Sequence, residues 1–376
     1  MFSQRTEYQT IILGIENLDG LLRQLTAGKV LLVADASFPY LSIKDQLENM
    51  AVPYILFDQF SPNPLYEDVC KGVRLFNEQQ CDAIVAVGGG SSIDVAKCIK
   101  LYCKMDPAVN YLQQEPFDSG IPLVAIPTTA GTGSESTRFA VIYYEGKKQS
   151  VNHLSIIPNY ALLEPSVLET LPLYQKKCTV LDALCQSIES WWSVNSTEES
   201  KQISKAALET LTAALMPYVS ETAEPRSPLV ASNVMRAANM AGQAINITQT
   251  TAPHAFSYKI TSLYHLPHGH AVAVCLPHIW RYMLEHPERC IDSRGAEYLD
   301  GVFCDIAAAM GCNSPSEAVD RFEKLLRDLE LGGPHSDNRA ADMEVLVHSV
   351  NPVRLKNNPV GLDLEAIREI YEKVIF

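Results

Sequence analysis

The sequence of 376 residues lacks several features that mark particular classes of protein. No apolar run reaches the roughly 18 residues that a membrane-spanning helix needs. The first residues do not combine a basic start, an apolar run and a small-residue cleavage site. The ten cysteines include no C-x-x-C pair, and Cys98 and Cys103 are the nearest two. We therefore expect a cytoplasmic protein with reduced cysteines and no membrane partner.

Positive charge is scarce as well. The 30 lysines and arginines stand against 44 acidic residues, which gives a formal net charge of −14. Binding to nucleic acid needs a basic surface, so we expect no nucleic-acid partner. A small anionic substrate would need a local group of cationic side chains. The composition, 47% hydrophobic and 20% charged, is that of a globular protein, and the length favours two domains.

Short apolar runs in the first half predict buried parallel strands. They occupy residues 29–35, 54–57, 83–87 and 123–127. Helical spacing over residues 66–80 separates the second run from the third, and such alternation predicts a parallel sheet covered by helices. After about residue 170 the periodicity is helical. We predict a dinucleotide-binding α/β domain over residues 1–168 and an all-α metal-binding domain over residues 169–376.

A glycine-rich loop follows the third predicted strand and leads into a helix. Its residues are Gly88, Gly89, Gly90, Ser91, Ser92 and, one turn later, Asp94. Glycines allow close approach of a ligand to the backbone, and a helix N-terminus attracts phosphate. The spacing is neither G-x-G-x-x-G nor a Walker loop. A glycine-rich turn that binds nothing is the alternative.

A second polar loop follows the fourth predicted strand and contains Thr128, Thr129, Thr132 and Ser134. Two such loops at the carboxyl ends of parallel strands predict a dinucleotide site, although each alone could be a capped turn. Asp35 ends the first predicted strand. Its carboxylate would accept hydrogen bonds from a ribose and repel a 2′-phosphate, which favours NAD(H) over NADP(H), unless Asp35 is only a turn residue.

A candidate metal site lies in the second half. Asp182 and Gln186 are four apart in a predicted helix and share one face. His254 and His268 follow further along. A carboxylate and two imidazoles suit Fe²⁺ or Zn²⁺ and leave a position for a substrate oxygen. A single histidine is more often a core or capping residue, so this spacing alone leaves the alternative open.

Taken together, these motifs resemble the iron-containing, or group III, alcohol dehydrogenase family over essentially the whole chain. The matching segments are Gly88–Ser91, Pro127–Thr129, Gly131–Glu135, Asp182–Leu184 and Leu266–Gly269. The resemblance implies a dehydroquinate synthase-like fold, with a Rossmann-like N-terminal domain, a helical C-terminal domain and a homodimer. It also implies that Asp182, His254 and His268 bind the metal and that Lys148 lies near the cofactor.

The activity that the resemblance implies is hydride transfer between NAD(H) or NADP(H) and a small alcohol or aldehyde, assisted by Fe²⁺ or Zn²⁺. Two positions depart from the family pattern. Gln186 stands where the family usually has a histidine, so we expect it to be a weaker, neutral metal ligand. Tyr258 stands where the family often has a histidine proposed to relay protons, so its phenol is our candidate for that role.

Residues 254–262 and 267–270 resemble one branch of the family, the phosphonoacetaldehyde reductases, also described as 2-hydroxyethylphosphonate dehydrogenases. A phosphonate substrate would need cations, for which the candidates are Arg138, Lys259, His270 and Arg354. We expect Arg138 and His270, with Tyr258, to be catalytic residues. Two alternatives remain: a dehydroquinate synthase-like or glycerol dehydrogenase-like enzyme of the same fold, and a regulator that binds nucleotide or metal without catalysis.

Overall fold

The computed structural model describes residues 3–25, 28–220 and 228–376. Its strands are β1 Ser3–Arg5, β2 Thr10–Leu13, β3 Val30–Ala34, β4 Tyr54–Phe57, β5 Ala83–Gly88, β6 Leu123–Pro127, β7 Phe139–Tyr144, β8 Lys147–Asn152 and β9 Tyr160–Leu163. Its helices are α1 Leu18–Leu25, α2 Lys44–Glu48, α3 Tyr66–Glu78, α4 Gly90–Tyr102, α5 Leu173–Trp192, α6 Glu198–Val219, α7 Pro228–Thr248, α8 Ala252–Tyr264, α9 His268–Glu285, α10 Ala296–Ala309, α11 Pro315–Asp328, α12 Arg339–Ser349, α13 Pro352–Leu355 and α14 Leu364–Val374.

The described residues divide into two compact units. The first unit ends at Leu171 but also includes the start of α7, as far as Met235. The second unit begins at Pro172 and includes the rest of the chain.

A seven-stranded sheet forms the first unit, in the order β1-β2-β9-β6-β5-β3-β4. Strand β1 is antiparallel to β2, and the other neighbours are parallel. The four predicted apolar runs are β3 to β6. Every residue of β3, β5 and β6 is buried, which explains why these strands are apolar throughout instead of alternating.

The order of the strands determines where a ligand can bind. From β3 the chain moves outward to β4 at the sheet edge, and it then returns to β5 on the other side of β3 and continues to β6. The strand order therefore reverses between β3 and β5. In open α/β sheets, ligands bind at the carboxyl ends of the strands beside such a reversal. Asp35 follows β3 and Gly88 ends β5, so both lie at this point.

Helices dominate the second unit, in which α5 packs against α6 and α9, and α8 packs against α9. An aromatic group lies in its core, where the rings of Trp192 and Trp280 are 5.5 Å apart. In the part of the chain that the structure describes, no strand follows Leu163. None of the described helices is both long and apolar enough to cross a membrane. The predicted fold class, a parallel-sheet α/β region followed by a helical region, is confirmed.

Candidate functional site

Helix α5 carries three buried polar residues on one face. Asp182, Gln186 and Glu189 are four and then three residues apart, and all three side chains are buried in the helical unit. This spacing places them along one side of a helix. Because an unpaired carboxylate is costly to bury, Asp182 and Glu189 each need a partner of opposite charge or a hydrogen-bond donor.

Helices α8 and α9 supply those partners. His254 lies in the first turn of α8, and His268 is the first residue of α9. One ligand atom from each of Asp182, His254 and His268 lies within 4.8 Å of the other two. Asp182 Oδ1 is 3.2 Å from His254 Nε2, yet it is buried and accepts no well-formed hydrogen bond. The structure thus brings together the three residues that the resemblance implies as ligands.

Gly269 explains how α9 comes so close to α5. A Cβ atom at this position would collide with the carbonyl oxygen of Cys178 and would lie 2.9 Å from Cβ of Asp182. Only glycine permits this backbone approach, which brings the adjacent His268 to Asp182. His268 can therefore reach Asp182 only because the residue that follows it is a glycine.

The electrostatics of this cluster suit a cation. Burial alone would raise the pKa of Asp182, but the charge of His268, the nearby His254 and a hydrogen bond from Gln186 outweigh burial and lower the pKa below its usual value. Burial alone would lower the pKa of His254, but Glu189 and Asp182 raise the pKa to about 9. An ionised carboxylate beside two imidazoles is a donor set that Fe²⁺ and Zn²⁺ accept. The residues present therefore fit a divalent metal.

Glu189 orients one of the candidate ligands. Its Oε1 lies 2.5 Å from His254 Nδ1, and its Oε2 accepts hydrogen bonds from the backbone N–H and the hydroxyl of Thr251, at 2.7 and 2.9 Å. Trp192 Nε1 donates to the same hydroxyl. Such a carboxylate fixes which nitrogen of the imidazole carries the proton. Glu189 was not predicted from the sequence, although its position seven residues after Asp182, two helical turns away, was a usable signal.

The aromatic side chain of Tyr258 stacks on the His268 ring, with centroids 5.9 Å apart and planes 5° apart. Its position next to a candidate metal ligand agrees with the predicted proton role, which stays a prediction.

His270 is different, because Nδ1 lies 2.9 Å from the Tyr174 hydroxyl and Nε2 lies 2.9 Å from the Gly332 carbonyl oxygen. Both ring nitrogens are engaged within the protein, which favours a structural role for His270 over the catalytic role that we predicted.

The glycine loop has the form of a phosphate cradle. Gly88 ends β5 with φ +148°, and a Cβ there would collide with Ser92 and approach Asp35. A Cβ on Gly90 would lie 3.2 Å from Thr132 of the second loop. The N-terminus of α4 follows at once, and the N-cap Gly89 offers no side chain to its first N–H groups. The loop therefore fits the phosphates of a dinucleotide.

The other predicted cofactor residues lie around this loop. Asp35 accepts hydrogen bonds from Ser37 and, at 2.8 Å, from the hydroxyl of Ser92. Gly89, Ser91, Thr128 and Thr129 belong to the two loops, and a Cβ on Gly89 would be in ordinary contact with Thr129. All of these assignments remain predictions.

Behind the glycine loop lies a buried polar cluster. Asp94 accepts hydrogen bonds from the Ser134 hydroxyl and from Val141 N, so it supports the loops from inside the protein. Burial raises the pKa of Asp94, although the charges of Lys97 and Lys148 oppose this. Lys97 is fully buried, which lowers its pKa to about 8. Its ammonium donates to Ser134 at 3.1 Å, and also to Thr137 and Phe139. Lys97 was not predicted from the sequence.

Two further predicted residues belong to the same unit. Lys148 lies on β8, exposed, and its charge reaches the buried Asp94. Arg138 is half-buried beside β7, with its guanidinium 5.3 Å from the centre of the Phe139 ring. Their roles toward cofactor and substrate stay predictions.

Family models match both parts of the chain. The model described as "Iron-containing alcohol dehydrogenase" matches residues 9–165, and the model described as "Fe-containing alcohol dehydrogenase family, C-terminal" matches residues 177–375. The chain belongs to the iron-containing alcohol dehydrogenase family. Membership confirms the predicted resemblance and the predicted oxidoreductase activity on alcohols or aldehydes, with a divalent metal and a nicotinamide cofactor.

Relatives with curated names include the phosphonoacetaldehyde reductase of Streptomyces viridochromogenes, which is 32% identical over 80% of this chain and 78% of its own length. A probable alcohol dehydrogenase of Escherichia coli, EutG, is 33% identical over 82% of this chain and 76% of its own length. Among solved structures, the sulfoacetaldehyde reductase of Bifidobacterium kashiwanohense, in complex with NAD⁺, has a TM-score of 0.86 and 24% identity, and covers 100% of this chain and 99% of its own. At that identity it supports the fold of this alcohol dehydrogenase.

Proposed function

We propose that this alcohol dehydrogenase reduces a short aldehyde carrying a phosphonate or sulfonate group. In the reaction, a hydride from NADH and a proton convert the aldehyde to the primary alcohol and leave NAD⁺. Residues 1–168 would bind the dinucleotide and residues 169–376 the metal. The observation that carries the proposal is the cluster of the buried Asp182 and His254 with the half-buried His268, because it offers a carboxylate oxygen and two imidazole nitrogens within 4.8 Å of one another.

Each residue of the proposed metal site has a distinct task. Asp182, His254 and His268 would hold the metal, with Gln186 as a fourth, neutral ligand. A bound Fe²⁺ or Zn²⁺ supplies a Lewis acid that polarises the carbonyl oxygen. Tyr258, stacked on His268, would supply or relay the proton that the new alkoxide oxygen needs.

For the cofactor, we propose NAD(H) rather than NADP(H). Asp35 lies at the reversal of strand order, bonded to Ser92 in the phosphate-binding loop. Its negative charge would oppose a 2′-phosphate. We place Gly88, Gly89, Gly90, Ser91, Thr128, Thr129 and Thr132 in contact with the cofactor, Asp94 and Ser134 behind it, and Lys148 nearby.

The substrate class rests on two kinds of support. A relative at 32% identity is named for phosphonoacetaldehyde, and a structural neighbour is named for sulfoacetaldehyde. Both names describe acetaldehyde with a tetrahedral oxyanion. An acidic chain that binds such an anion needs a cation at the binding site, and Arg138, Lys259 and Arg354 are available.

We also propose a location and an oligomeric state. All ten cysteines are free thiols, which suits the reducing cytosol. We propose that the protein is a cytoplasmic homodimer.

The decisive experiment is a steady-state assay at 340 nm. Metal-stripped protein is reloaded with Fe²⁺ or Zn²⁺ and given NADH or NADPH with phosphonoacetaldehyde, sulfoacetaldehyde or butanal. We expect metal-dependent oxidation of NADH, fastest with an anionic aldehyde. Equal efficiency with butanal would contradict the anionic substrate class, and no oxidation with any aldehyde would contradict the reductase itself and favour a lyase of the same fold.

A further inference from the structure

Among the residues that the structure describes, Arg354 has no acidic partner, although the protein is strongly acidic. It lies half-buried in α13, and its Nη1 donates a hydrogen bond of 3.1 Å to Oε1 of Gln249. Arg281 and Arg294, in the same unit, each bind a carboxylate at 3.0 Å or less. Across the described parts of the chain, no carboxylate forms an ion pair with Arg354. Its guanidinium therefore has donors and charge left for a ligand.

This arginine lies beside the candidate metal site. Helix α13 packs against α8, the helix that carries His254 and Tyr258. Gln249, which accepts a hydrogen bond from Arg354, lies two residues before Thr251. Thr251 donates to Glu189, and Glu189 in turn bonds to the candidate metal ligand His254, so Arg354 is anchored to the segment that supports this ligand.

Gln249 helps to hold the guanidinium in place. It has a left-handed backbone conformation, with φ +60°, in the turn between α7 and α8. The same turn is bound on both sides, because Thr251 donates to Glu189 and the carbonyl oxygen of Thr250 accepts from Asn357. Non-glycine residues in this conformation are uncommon and cluster at functional sites. The amide of Gln249 fixes one edge of the guanidinium and leaves its other N–H groups available.

We propose that Arg354 binds the anionic head group of the substrate while the carbonyl oxygen faces Asp182, His254 and His268. This inference rests on the proposed function and names the residue that selects the substrate class. The planar guanidinium matches two oxygens of a phosphonate or sulfonate at once, which a lysine ammonium cannot do. Arg354 is thus a specificity-determining residue for aldehydes with a tetrahedral oxyanion.

Lys259 is the competing cation. It follows Tyr258 directly on α8 and is also half-buried. Because a guanidinium and an ammonium differ in geometry, conservative substitutions show which of the two binds the anionic group. If Arg354 makes the contact, Arg354→Lys keeps the charge but loses the paired hydrogen bonds.

The test compares the reloaded wild-type enzyme with the variants Arg354→Gln, Arg354→Lys and Lys259→Gln. The measured quantity is the ratio of kcat/KM for each anionic aldehyde to kcat/KM for butanal. We expect Arg354→Gln to lower this ratio about 10- to 100-fold, mainly through KM, because charge-assisted hydrogen bonds are lost. Arg354→Lys should recover part of the loss. The control Arg368→Gln removes an exposed ion pair with Glu344 and should leave the ratio unchanged.

A binding measurement complements the kinetics. Calorimetric titration of the metal-loaded enzyme with the alcohol 2-hydroxyethylphosphonate should give at least tenfold weaker binding to Arg354→Gln. An unchanged ratio and unchanged binding in Arg354→Gln would overturn the assignment while the reductase stands, as would a full loss in Lys259→Gln alone. A wild-type enzyme that prefers neither anion would overturn the substrate class itself. Preference for one of the two anionic aldehydes identifies the head group.

Discussion

Replacement of Glu189 by glutamine tests how the metal site is built. The carboxylate is fully buried and accepts three hydrogen bonds, one from His254 Nδ1 and two from Thr251. Since an ionised carboxylate only accepts, it keeps the proton of His254 on Nδ1. Nitrogen Nε2, which lies 3.2 Å from Asp182, is then the nitrogen that gives up its proton when a metal binds.

The expected loss of metal affinity in Glu189→Gln follows from the hydrogen bonds of this carboxylate. A glutamine of the same shape offers one accepting atom and one donating group. If its oxygen accepts from His254, its NH₂ group faces the N–H of Thr251, and if the amide is reversed, the NH₂ group faces Nδ1. The reversed arrangement moves the His254 proton to Nε2, the nitrogen that would bind the metal, and the first arrangement leaves the buried N–H of Thr251 without an acceptor, at a cost of about 1–3 kcal/mol. Loss of an outer partner of this kind typically weakens metal binding about 10- to 100-fold, which is the same range.

The assay is competition between metal-stripped protein and a chromophoric chelator for Zn²⁺, with Co²⁺ absorption as a second measure of ligand geometry. We expect the affinity of Glu189→Gln to fall 10- to 100-fold and its Co²⁺ spectrum to change. The matched control is Glu209→Gln, an exposed carboxylate on α6, which should behave as wild type. Wild-type affinity together with an unchanged Co²⁺ spectrum in Glu189→Gln would refute the reasoning.

Three further substitutions test other parts of the structure. Gly269→Ala should lower the free energy of unfolding by about 1–3 kcal/mol and weaken metal binding, because the new Cβ collides with Cys178; an unaltered melting temperature and metal content would contradict this. Asp182→Asn should remove bound metal, measured by elemental analysis, and leave the far-ultraviolet circular dichroism unchanged. Wild-type metal content would reject Asp182 as a ligand. Asp35→Asn should raise the ratio of kcat/KM for NADPH to that for NADH about tenfold, since one charge near the phosphates is lost; a constant ratio would show that Asp35 does not select the cofactor.

The interior of the sheet was predictable because parallel strands with both faces covered must be apolar throughout. Strands β3 and β5 meet that condition. The β7–β8 hairpin was not predicted, since the sequence Lys147–Asn152 is polar and largely exposed. Its register is set by the two-residue turn of Glu145 and Gly146, both with positive φ, which is a local signal that the polar composition of β8 obscured.

The site could be predicted only in part. Asp182 stood out as an acid in an apolar helix, but nothing in its own segment identifies histidines more than 70 residues away as neighbours. The family resemblance provided that link, and the packing of α8 and α9 on α5 explains it. Glu189 and Lys97 were missed because their hydrogen-bond partners lie far away in the sequence. Glu189 accepts from Thr251, and Lys97 donates to the carbonyl oxygen of Phe139.

The departure at Gln186 is easier to understand from charge than from affinity. A histidine ligand and a glutamine ligand are both neutral, so the ligand set carries one negative charge, from Asp182, in either case. A divalent metal there keeps a net charge of about +1, and its ability to polarise a carbonyl is retained. Gln186 also bonds to Asp182 and helps to keep that carboxylate ionised. We therefore expect glutamine at this position to weaken metal binding without changing the chemistry that the metal supplies. The variant Gln186→His should lose its metal to a chelator more slowly than the wild-type enzyme, with a similar kcat.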